Sequence, residues 1–300
     1  MVDPPPPVQV RQAATLMLVR DGRPGVGPLE VLMVRRNLNA DFVGGAYVFP
    51  GGAVDPADGG AEAEAICRGR SDAEASAVLE VAEGGLAYWV AVLRECFEEA
   101  GVLLADRADG PPLSFAAPDL EARFAAHRRD VNGGRRRFLD VCAEESLVLA
   151  VDRVHYFAHW ITPLGAPRRY DTRFFVAAAP TDQTPAHDAG ELIADLWIEP
   201  AEALARGRAG EFELIFPTIR NLQAISRFAT ADELLAAAAD SAQVPLIEPR
   251  VVADAHGWRI LLPGDPGYAE AADERARAAD FNELVRRASA AANEAPEPPR

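Results

Sequence analysis

The stretch Arg94–Gly101, which reads RECFEEAG, decides the fold because it crowds three glutamates into a segment that otherwise has the pattern of a buried helix. Residues three and four apart share a helix face, so Glu95, Glu98 and Glu99 project to one side and repel one another. The other side carries apolar residues at helical spacing: Val90, Leu93, Phe97 and Leu104. Clustered carboxylates are ligands for hard divalent cations. Taken alone, the pattern leaves two interpretations open, a metal site or a solvated acidic face.

The composition describes a chain that can bury a full core and that carries a strong negative charge. It has 300 residues, 49% of them hydrophobic, and a net charge of −16. That charge argues against nucleic-acid binding, which depends on basic groups that neutralise phosphates. No apolar run is long enough to cross a membrane, and no basic-then-apolar signal peptide is visible at the N-terminus. Cys67, Cys96 and Cys142 have neither metal-ligand spacing nor a disulfide framework, which fits a reducing compartment.

Strand and helix patterns mix along the chain without regular alternation. Ala13–Val19 and Leu29–Arg36 have the pattern of two strands, the segment from Leu86 to Glu99 that of a helix, and His155–Ala178 that of a strand pair. We therefore predict an α+β fold, an α/β/α sandwich around a mixed sheet.

The segments outside these elements predict the domain organisation. Residues 59–84 are rich in Ala, Glu, Gly and Asp and lack periodicity, so we expect a loosely ordered surface insertion. Residues 117–147 are expected to form a second, helical insertion, broken near Asn132–Gly134. The expected order along the chain is a disordered lead-in at 1–9, a main domain at 10–228, C-terminal helices and a hairpin packed on it at 229–292, and a disordered tail at 293–300.

A two-part motif is carried by FPGG at Phe49–Gly52 and by RECFEEAGV at Arg94–Val102. It resembles the Nudix hydrolase signature, which is a glycine, five residues, a glutamate, seven residues and then R-E-U-x-E-E-x-G-U with U apolar. The second half matches at every specified position. The first half departs, because the expected glutamate falls on Asp58 and the 35 residues 59–93 follow where the pattern has seven.

The interrupted motif, with RECFEEAGVLL and the text of His155–Ala178, is similar to the branch of peroxisomal coenzyme A diphosphatases, which carries an insertion inside its Nudix box. The resemblance covers most of residues 13–225. It implies a Nudix domain with helical insertions and a C-terminal extension. It also implies an enzyme that hydrolyses the diphosphate of a nucleoside diphosphate linked to another group, with coenzyme A or an acyl-CoA as first choice. ADP-ribose, NADH and nucleotide sugars remain alternatives, and the rival is a catalytically silent nucleotide-sensing Nudix domain.

The resemblance also assigns roles at the site. Mg²⁺ or Mn²⁺ would be held by Glu95, Glu98 and Glu99 together with the carbonyl of Gly52. Glu98 is expected to act as a ligand or as the base that orients water. Arg94 can pair with Glu98 one helical turn on. Glu191, in HDAGELIADLW, is the best match for a further acid from a loop across the cleft, with a solvated loop acid as the alternative.

Other residues are candidates for substrate contacts. Arg35, Arg36 and Arg169 can bind phosphates through bidentate contacts, and Trp160 can stack on a base; surface charge and core packing are the alternatives. The expected partner is a small nucleoside diphosphate, with neither nucleic acid nor membrane. Peroxisomal relatives tend to end in a targeting tripeptide, whereas this chain ends EPPR, so we expect a cytoplasmic location.

An apolar stripe on the last predicted helix must be covered, either by the same domain or by a homodimer contact. Its residues are Phe281, Leu284, Val285 and Ala288.

Overall fold

A mixed sheet of eight strands is the frame of the protein. The computed structural model describes residues 8–22, 28–37, 44–108, 110–187, 192–241, 243–254, 257–271 and 286–293. The strands are β1 Val10–Asp21, β2 Leu29–Arg36, β3 Tyr47–Val48, β4 Gly51–Ala53, β5 Ala105–Arg107, β6 Leu147–Leu149, β7 His155–Ile161, β8 Arg169–Ala178, β9 Leu192–Ile198, β10 Leu246–Ile247, β11 Arg250–Asp254 and β12 Gly257–Leu261. The helices are α1 Ala61–Ile66, α2 Asp72–Leu79, α3 Leu86–Ala100, α4 Pro118–Asn132, α5 Phe138–Glu144, α6 Pro200–Arg208, α7 Phe216–Ile225 and α8 Ala231–Ala239.

β1 lies at the centre of this sheet, whose strand order is β10-β7-β8-β1-β2-β3, with β4 paired to β1 and β9 to β2. It runs parallel to β8 and antiparallel to β2 and β4. Its side chains alternate between two cores. Leu16 and Leu18 pack with α3 in what we call the α3-side core, whereas Met17 and Val19 pack with α7 in the α7-side core. Two helical layers therefore cover a mixed sheet, and the predicted α+β sandwich is confirmed.

Helix α3 carries the glutamates at its C-terminal end. Its first half is apolar all round and fully buried, as expected for a helix inside a core. Trp89 fixes this half by donating its indole N–H to the carbonyl of Val154 at 2.9 Å. The helix ends at Gly101, whose left-handed backbone (φ 71°) lets its N–H donate to the carbonyl of Phe97. The N-terminal half of α3 is thus fixed in the core, and its C-terminus is fixed at Gly101. Together these two features determine the position of the glutamates at the C-terminal end of the helix.

The segment 59–84 is ordered, and the prediction of a loosely ordered surface insertion is wrong. It forms α1 and α2, and Ala63, Ala75 and Leu79 are buried in the α3-side core. Short helices that bury alanines give little contrast between polar and apolar faces, so their periodicity is weak in the sequence.

Helix α2 also caps the start of α3, which has no side-chain cap of its own. The two carboxylate oxygens of Asp72 accept hydrogen bonds from the backbone N–H groups of Leu86 and Gly84, at 2.9 and 3.0 Å. The hydroxyl of Ser76 accepts from Gly85 N–H at 2.9 Å. The inserted segment thus satisfies backbone donors that the helix start would leave orphaned.

Helices α4 and α5 occupy the second predicted insertion, with the break at Gly133–Gly134. Phe124 and Phe138 pack around Phe97 of α3 with ring centroids 6.4 and 6.1 Å away. This contact lays α4 against the C-terminal end of α3.

The C-terminal part packs on the α7-side core. Ala231 and Leu234 of α8 and Ala292 of a final helix, residues 286–293, are buried there, while β11 and β12 form a hairpin. Ala288 packs against the same core, but the other three residues of the predicted stripe lie outside the described residues, so the dimer contact stays a prediction. Within the described ranges no helix is long and apolar enough to span a membrane.

Candidate active site

A cleft of about 1550 Å³ opens on the face of β1, β7 and β8 that faces away from α3. Glu95, Glu98 and Glu99 line it beside strand β4. The segment Phe212–Ile219, at the start of α7, and the final helix also contribute to its walls. The cleft therefore joins an acidic cluster to a large, mainly apolar chamber.

The acidic cluster is built where the end of α3 meets β4. Gly51 N–H donates to Oε2 of Glu99 at 2.8 Å. Gly52 lies directly against the Glu95 carboxylate, which a Cβ at this position would overlap. A glycine is therefore required here so that the backbone and the carboxylate can approach one another.

Arg94 organises this cluster. Its Nη1 donates to Oε1 of Glu95 at 2.8 Å and to Oε1 of Glu98 at 3.2 Å, so the pairing with Glu98 predicted from the sequence is present. Its Nη2 also donates to the carbonyl of Ala53 at 2.9 Å. The guanidinium thereby orients two carboxylates and fixes them to the end of β4.

Asp58, which stands where the signature expects a glutamate, is buried with 2% of its surface exposed. Its two carboxylate oxygens accept from Nε and Nη2 of Arg94 at 2.7 and 2.9 Å. A second acceptor role fixes it further, because Asp55 N–H donates to Oδ2 at 2.8 Å. Asp58 therefore acts on the cluster through Arg94.

The electrostatics of the cluster favour a cation. Burial raises the pKa of Glu95 to about 7; Arg94 opposes this shift, and the like charge of Glu98 adds to it. Glu95, Glu98, Glu99 and the carbonyl of Gly52 offer only oxygen ligands. This donor set fits a hard divalent ion such as Mg²⁺ or Mn²⁺, which would offset the repulsion.

Comparison with known proteins places the chain in a family. A sequence model described as the NUDT19 Nudix domain matches residues 70–225. The chain belongs to the Nudix hydrolases. The stretch RECFEEAG is the second half of its Nudix box, and the cluster of Glu95, Glu98 and Glu99 lies on the Nudix helix, α3.

Named relatives and a solved structure agree with this assignment. Acyl-coenzyme A diphosphatase NUDT19 of Gallus gallus is 30% identical over 88% of this chain and 81% of its own length. The protein of the same name from Homo sapiens is 27% identical over 90% and 83%. A crystal structure of a Nudix hydrolase from Alicyclobacillus acidocaldarius is 29% identical, covers 76% of this chain and 96% of its own, and superposes with a TM-score of 0.60. The chain is thus a Nudix enzyme that acts on pyrophosphate bonds.

Arg128 of α4 is a contributor to the Nudix site that the sequence did not reveal. Its guanidinium donates to the carbonyls of Glu98 and Glu99 at 2.9 and 2.8 Å and to the carbonyl of Ala186 at 2.7 Å. Asn132 Nδ2 adds a 3.1 Å bond to the carbonyl of Glu98. A helix end needs partners for its last carbonyls, but nothing in the sequence shows that an arginine thirty residues away supplies them.

Two of the four predicted substrate-binding residues line the cleft, and two do not. Arg36 and Trp160 line the cleft, and their substrate contacts stay predictions. Arg35 and Arg169 are not among the residues that line it, and their substrate contacts also stay predictions. Arg168 and Arg36, their neighbours in the sequence, line the cleft.

The two arginines that do not line the cleft have partners elsewhere in the protein. Nε of Arg35 donates to the carbonyl of Gly45 at 3.2 Å. Arg169 donates to Glu248 and to the carbonyl of Thr162, both at 2.9 Å. Glu191, the candidate acid from across the cleft, lies outside the described residues, and its role also stays a prediction.

A second group of metal-type ligands, His127, Glu144 and Glu145, lies on α4 and at the C-terminal end of α5 and does not line the cleft. Its carboxylates are already ion-paired, Glu145 with Arg123 at 2.9 Å and Glu144 with Arg136 at 2.5 Å. This group is a structural ion-pair network, distinct from the Nudix cluster.

Proposed function

We propose that this chain is a divalent-metal-dependent Nudix diphosphatase whose substrate is coenzyme A or an acyl-CoA. The observation that carries the proposal is the complete set of three glutamates at one side of a cleft of about 1550 Å³, two of them held by Arg94 and the third by Gly51 N–H. Typical pockets for small ligands measure roughly 300–1000 Å³, so this cleft has room for a substrate larger than a typical small ligand. The names of the two relatives reported above support the substrate class.

The metal-binding residues are Glu95, Glu98, Glu99 and the Gly52 carbonyl, and the ion is Mg²⁺ or Mn²⁺. When bound, such an ion neutralises phosphoryl charge and lowers the pKa of water. The protein's own groups orient the site: Arg94 holds Glu95 and Glu98, and Gly51 N–H holds Glu99. Glu98 is the more exposed partner of Arg94, with 22% of its side chain accessible against 14% for Glu95. It is therefore more accessible to an attacking water than Glu95, and we assign it as the base that orients this water.

Arginines on the cleft wall supply the positive charge that a substrate with several phosphates requires. Those lining it are Arg11, Arg36, Arg168 and Arg286. Coenzyme A carries a 3′-phosphate besides its diphosphate, and guanidinium groups bind such oxygens through paired hydrogen bonds. The expected products are 3′-phosphorylated AMP and 4′-phosphopantetheine.

The test is kcat/KM for coenzyme A, dephospho-CoA, ADP-ribose and NADH, each with Mg²⁺ and with Mn²⁺. We expect coenzyme A to be the best substrate, and dephospho-CoA to be poorer by about 1–3 kcal/mol in transition-state binding, because the site is left with unpaired charge. Faster hydrolysis of ADP-ribose or NADH would contradict the coenzyme A assignment. Failure to hydrolyse any of the four would contradict a diphosphatase and favour a nucleotide-sensing domain, which the complete glutamate set argues against.

A further inference from the structure

Four residues that line the cleft carry a side-chain polar atom that is buried without a hydrogen-bond partner. One of these atoms belongs to a charged group, Nε of Arg36; the other three are uncharged, the indole Nε1 of Trp160, the hydroxyl of Ser289 and Oδ1 of Asn293. The residues that carry the three uncharged atoms are 5, 6 and 5% exposed. An unpaired buried polar atom costs about 1–3 kcal/mol, and folded proteins retain few of them. Their concentration in residues that line one cleft therefore indicates that a bound group completes their hydrogen bonds.

The final helix brings two of these atoms to the cleft in a fixed position. Ser289 and Asn293 are four residues apart and so share one helix face. The end of this helix is tied to α6 and α7, because Arg208 donates to the carbonyl of Asn293 at 3.3 Å and Gln223 to the carbonyl of Ala292 at 2.8 Å. The final helix, which lies beyond the matched Nudix domain in the sequence, thus forms part of the wall of the cleft.

Trp160 brings the third atom from the sheet side of the cleft. Its ring packs edge-on against Phe216 with centroids 6.0 Å apart. Apolar residues that also line the cleft and belong to or pack on the α7-side core include Phe174, Phe216, Ile219 and Ile260. The polar atoms therefore lie on a mainly apolar wall, which strengthens any hydrogen bond that they make.

We propose that Trp160, Ser289 and Asn293 form a subsite for an uncharged group that both donates and accepts hydrogen bonds. The indole N–H is a donor, the amide oxygen an acceptor and the hydroxyl either one. None of the three carries charge, so the subsite suits an amide or a nucleobase edge and not a phosphate. The inference rests on the proposed function, in which two parts of the substrate have this chemistry: the adenine edge and the amides of the pantetheine arm.

The experiment measures the dissociation constants of adenosine 3′,5′-bisphosphate and of 4′-phosphopantetheine, with Mg²⁺ present, for the wild-type chain and three variants. Ser289→Ala and Trp160→Phe each remove one of the proposed contacts. Trp197→Phe is the matched control, because Trp197 Nε1 is also buried without a partner but the residue packs on the α3-side core and does not line the cleft.

We expect Ser289→Ala and Trp160→Phe to weaken binding of one half by about tenfold, to leave the other half unchanged, and Trp197→Phe to affect neither. The weakened half identifies the occupant as adenine or pantetheine. Ser289→Ala is also expected to leave the melting temperature of the ligand-free protein equal or higher, since it removes an unsatisfied hydroxyl.

Two results would overturn the subsite while leaving the proposed function intact. One is wild-type binding of either half that neither cleft variant changes, which is the outcome if only water satisfies these atoms. The other is equal weakening of both halves, which indicates a general disturbance of the cleft. If the wild-type chain bound neither half and did not hydrolyse coenzyme A, the proposed function would fail, and the subsite with it.

Discussion

Asp58 and Arg94 lie 36 residues apart in the sequence and share two hydrogen bonds, of 2.7 and 2.9 Å. The pair closes the loop that contains α1 and α2, and it connects the start of that loop to the residue that orients Glu95 and Glu98. Asp58, the shorter carboxylate at the position where the Nudix box has a glutamate, therefore positions Arg94. The interruption of the Nudix box leaves the site intact because this contact spans it.

Asp58→Ala is expected to destabilise the protein by about 3 kcal/mol, near the lower end for breaking a buried ion pair, because Glu95 and Glu98 continue to pair with Arg94. Denaturant unfolding measures the loss. Glu62→Ala is the control, since its pair with Arg137 is about half exposed on both sides and contributes little to stability. Equal losses for the two variants would contradict the role given to Asp58.

Leu79→Ala tests whether the inserted helices belong to the core. Leu79 is 3% exposed in the α3-side core, so its truncation should cost about 2–5 kcal/mol of unfolding free energy. The adjacent Val78 is 45% exposed, and Val78→Ala should change stability by about 0.5 kcal/mol or less. A loss for Leu79→Ala no larger than for its neighbour would show that the segment does not support the fold.

Arg128→Ala tests the positioning of the Nudix helix from α4. Loss of the bonds to the carbonyls of Glu98 and Glu99 should weaken Mn²⁺ affinity or turnover by about 10–100-fold, the usual effect of removing an outer-shell partner. Arg129→Ala, at an exposed neighbouring position, is the control. Partial recovery of Mn²⁺ affinity in Arg128→Lys would separate positioning of the glutamates from a general loss of structure. Unchanged affinity and turnover in Arg128→Ala would refute the role.

Glu95→Gln should stabilise the metal-free protein at pH 8 but not at pH 4. The folded pKa of Glu95 is raised to about 7, above its ordinary value of 4.5, so folding opposes the charged form, and this cost grows as pH rises from 4.5 through 7. Glutamine removes the charge, for a gain on the order of 1–3 kcal/mol at pH 8. Thermal unfolding in a chelator at both pH values measures the difference. A gain of the same size at pH 4 would rule out titration of Glu95 as its source.

The sequence was sufficient for features that depend on neighbouring residues. The glutamates of α3, their opposite apolar stripe and the stop at Gly101 follow from helical periodicity and glycine geometry, and the structure has all three. The same reasoning could not detect α1 and α2, whose buried alanines carry little amphipathic signal.

Contacts between distant segments could not be predicted. Asp72 caps the start of α3, and Arg128 binds the last carbonyls of the same helix. Both contacts depend on how the helices pack against one another, which no local sequence pattern encodes. That Arg36 lines the cleft and Arg35 does not depends on where β2 lies in the folded sheet. Ser289 matched no motif, because its importance comes from burial beside a cleft formed by the folded sheet.

The central claim is that the glutamates of α3 hold the metal that hydrolysis of the diphosphate requires. Glu99→Gln tests it most directly, because glutamine keeps an oxygen acceptor for Gly51 N–H and so preserves the fold while removing the charge. The measurement is the rate of coenzyme A hydrolysis with Mg²⁺ or Mn²⁺, for wild type, Glu99→Gln and the exposed control Glu83→Gln, with melting temperatures beside it. We predict a loss of orders of magnitude for Glu99→Gln alone, at an unchanged or higher melting temperature. Turnover of Glu99→Gln close to that of the wild type would contradict the account.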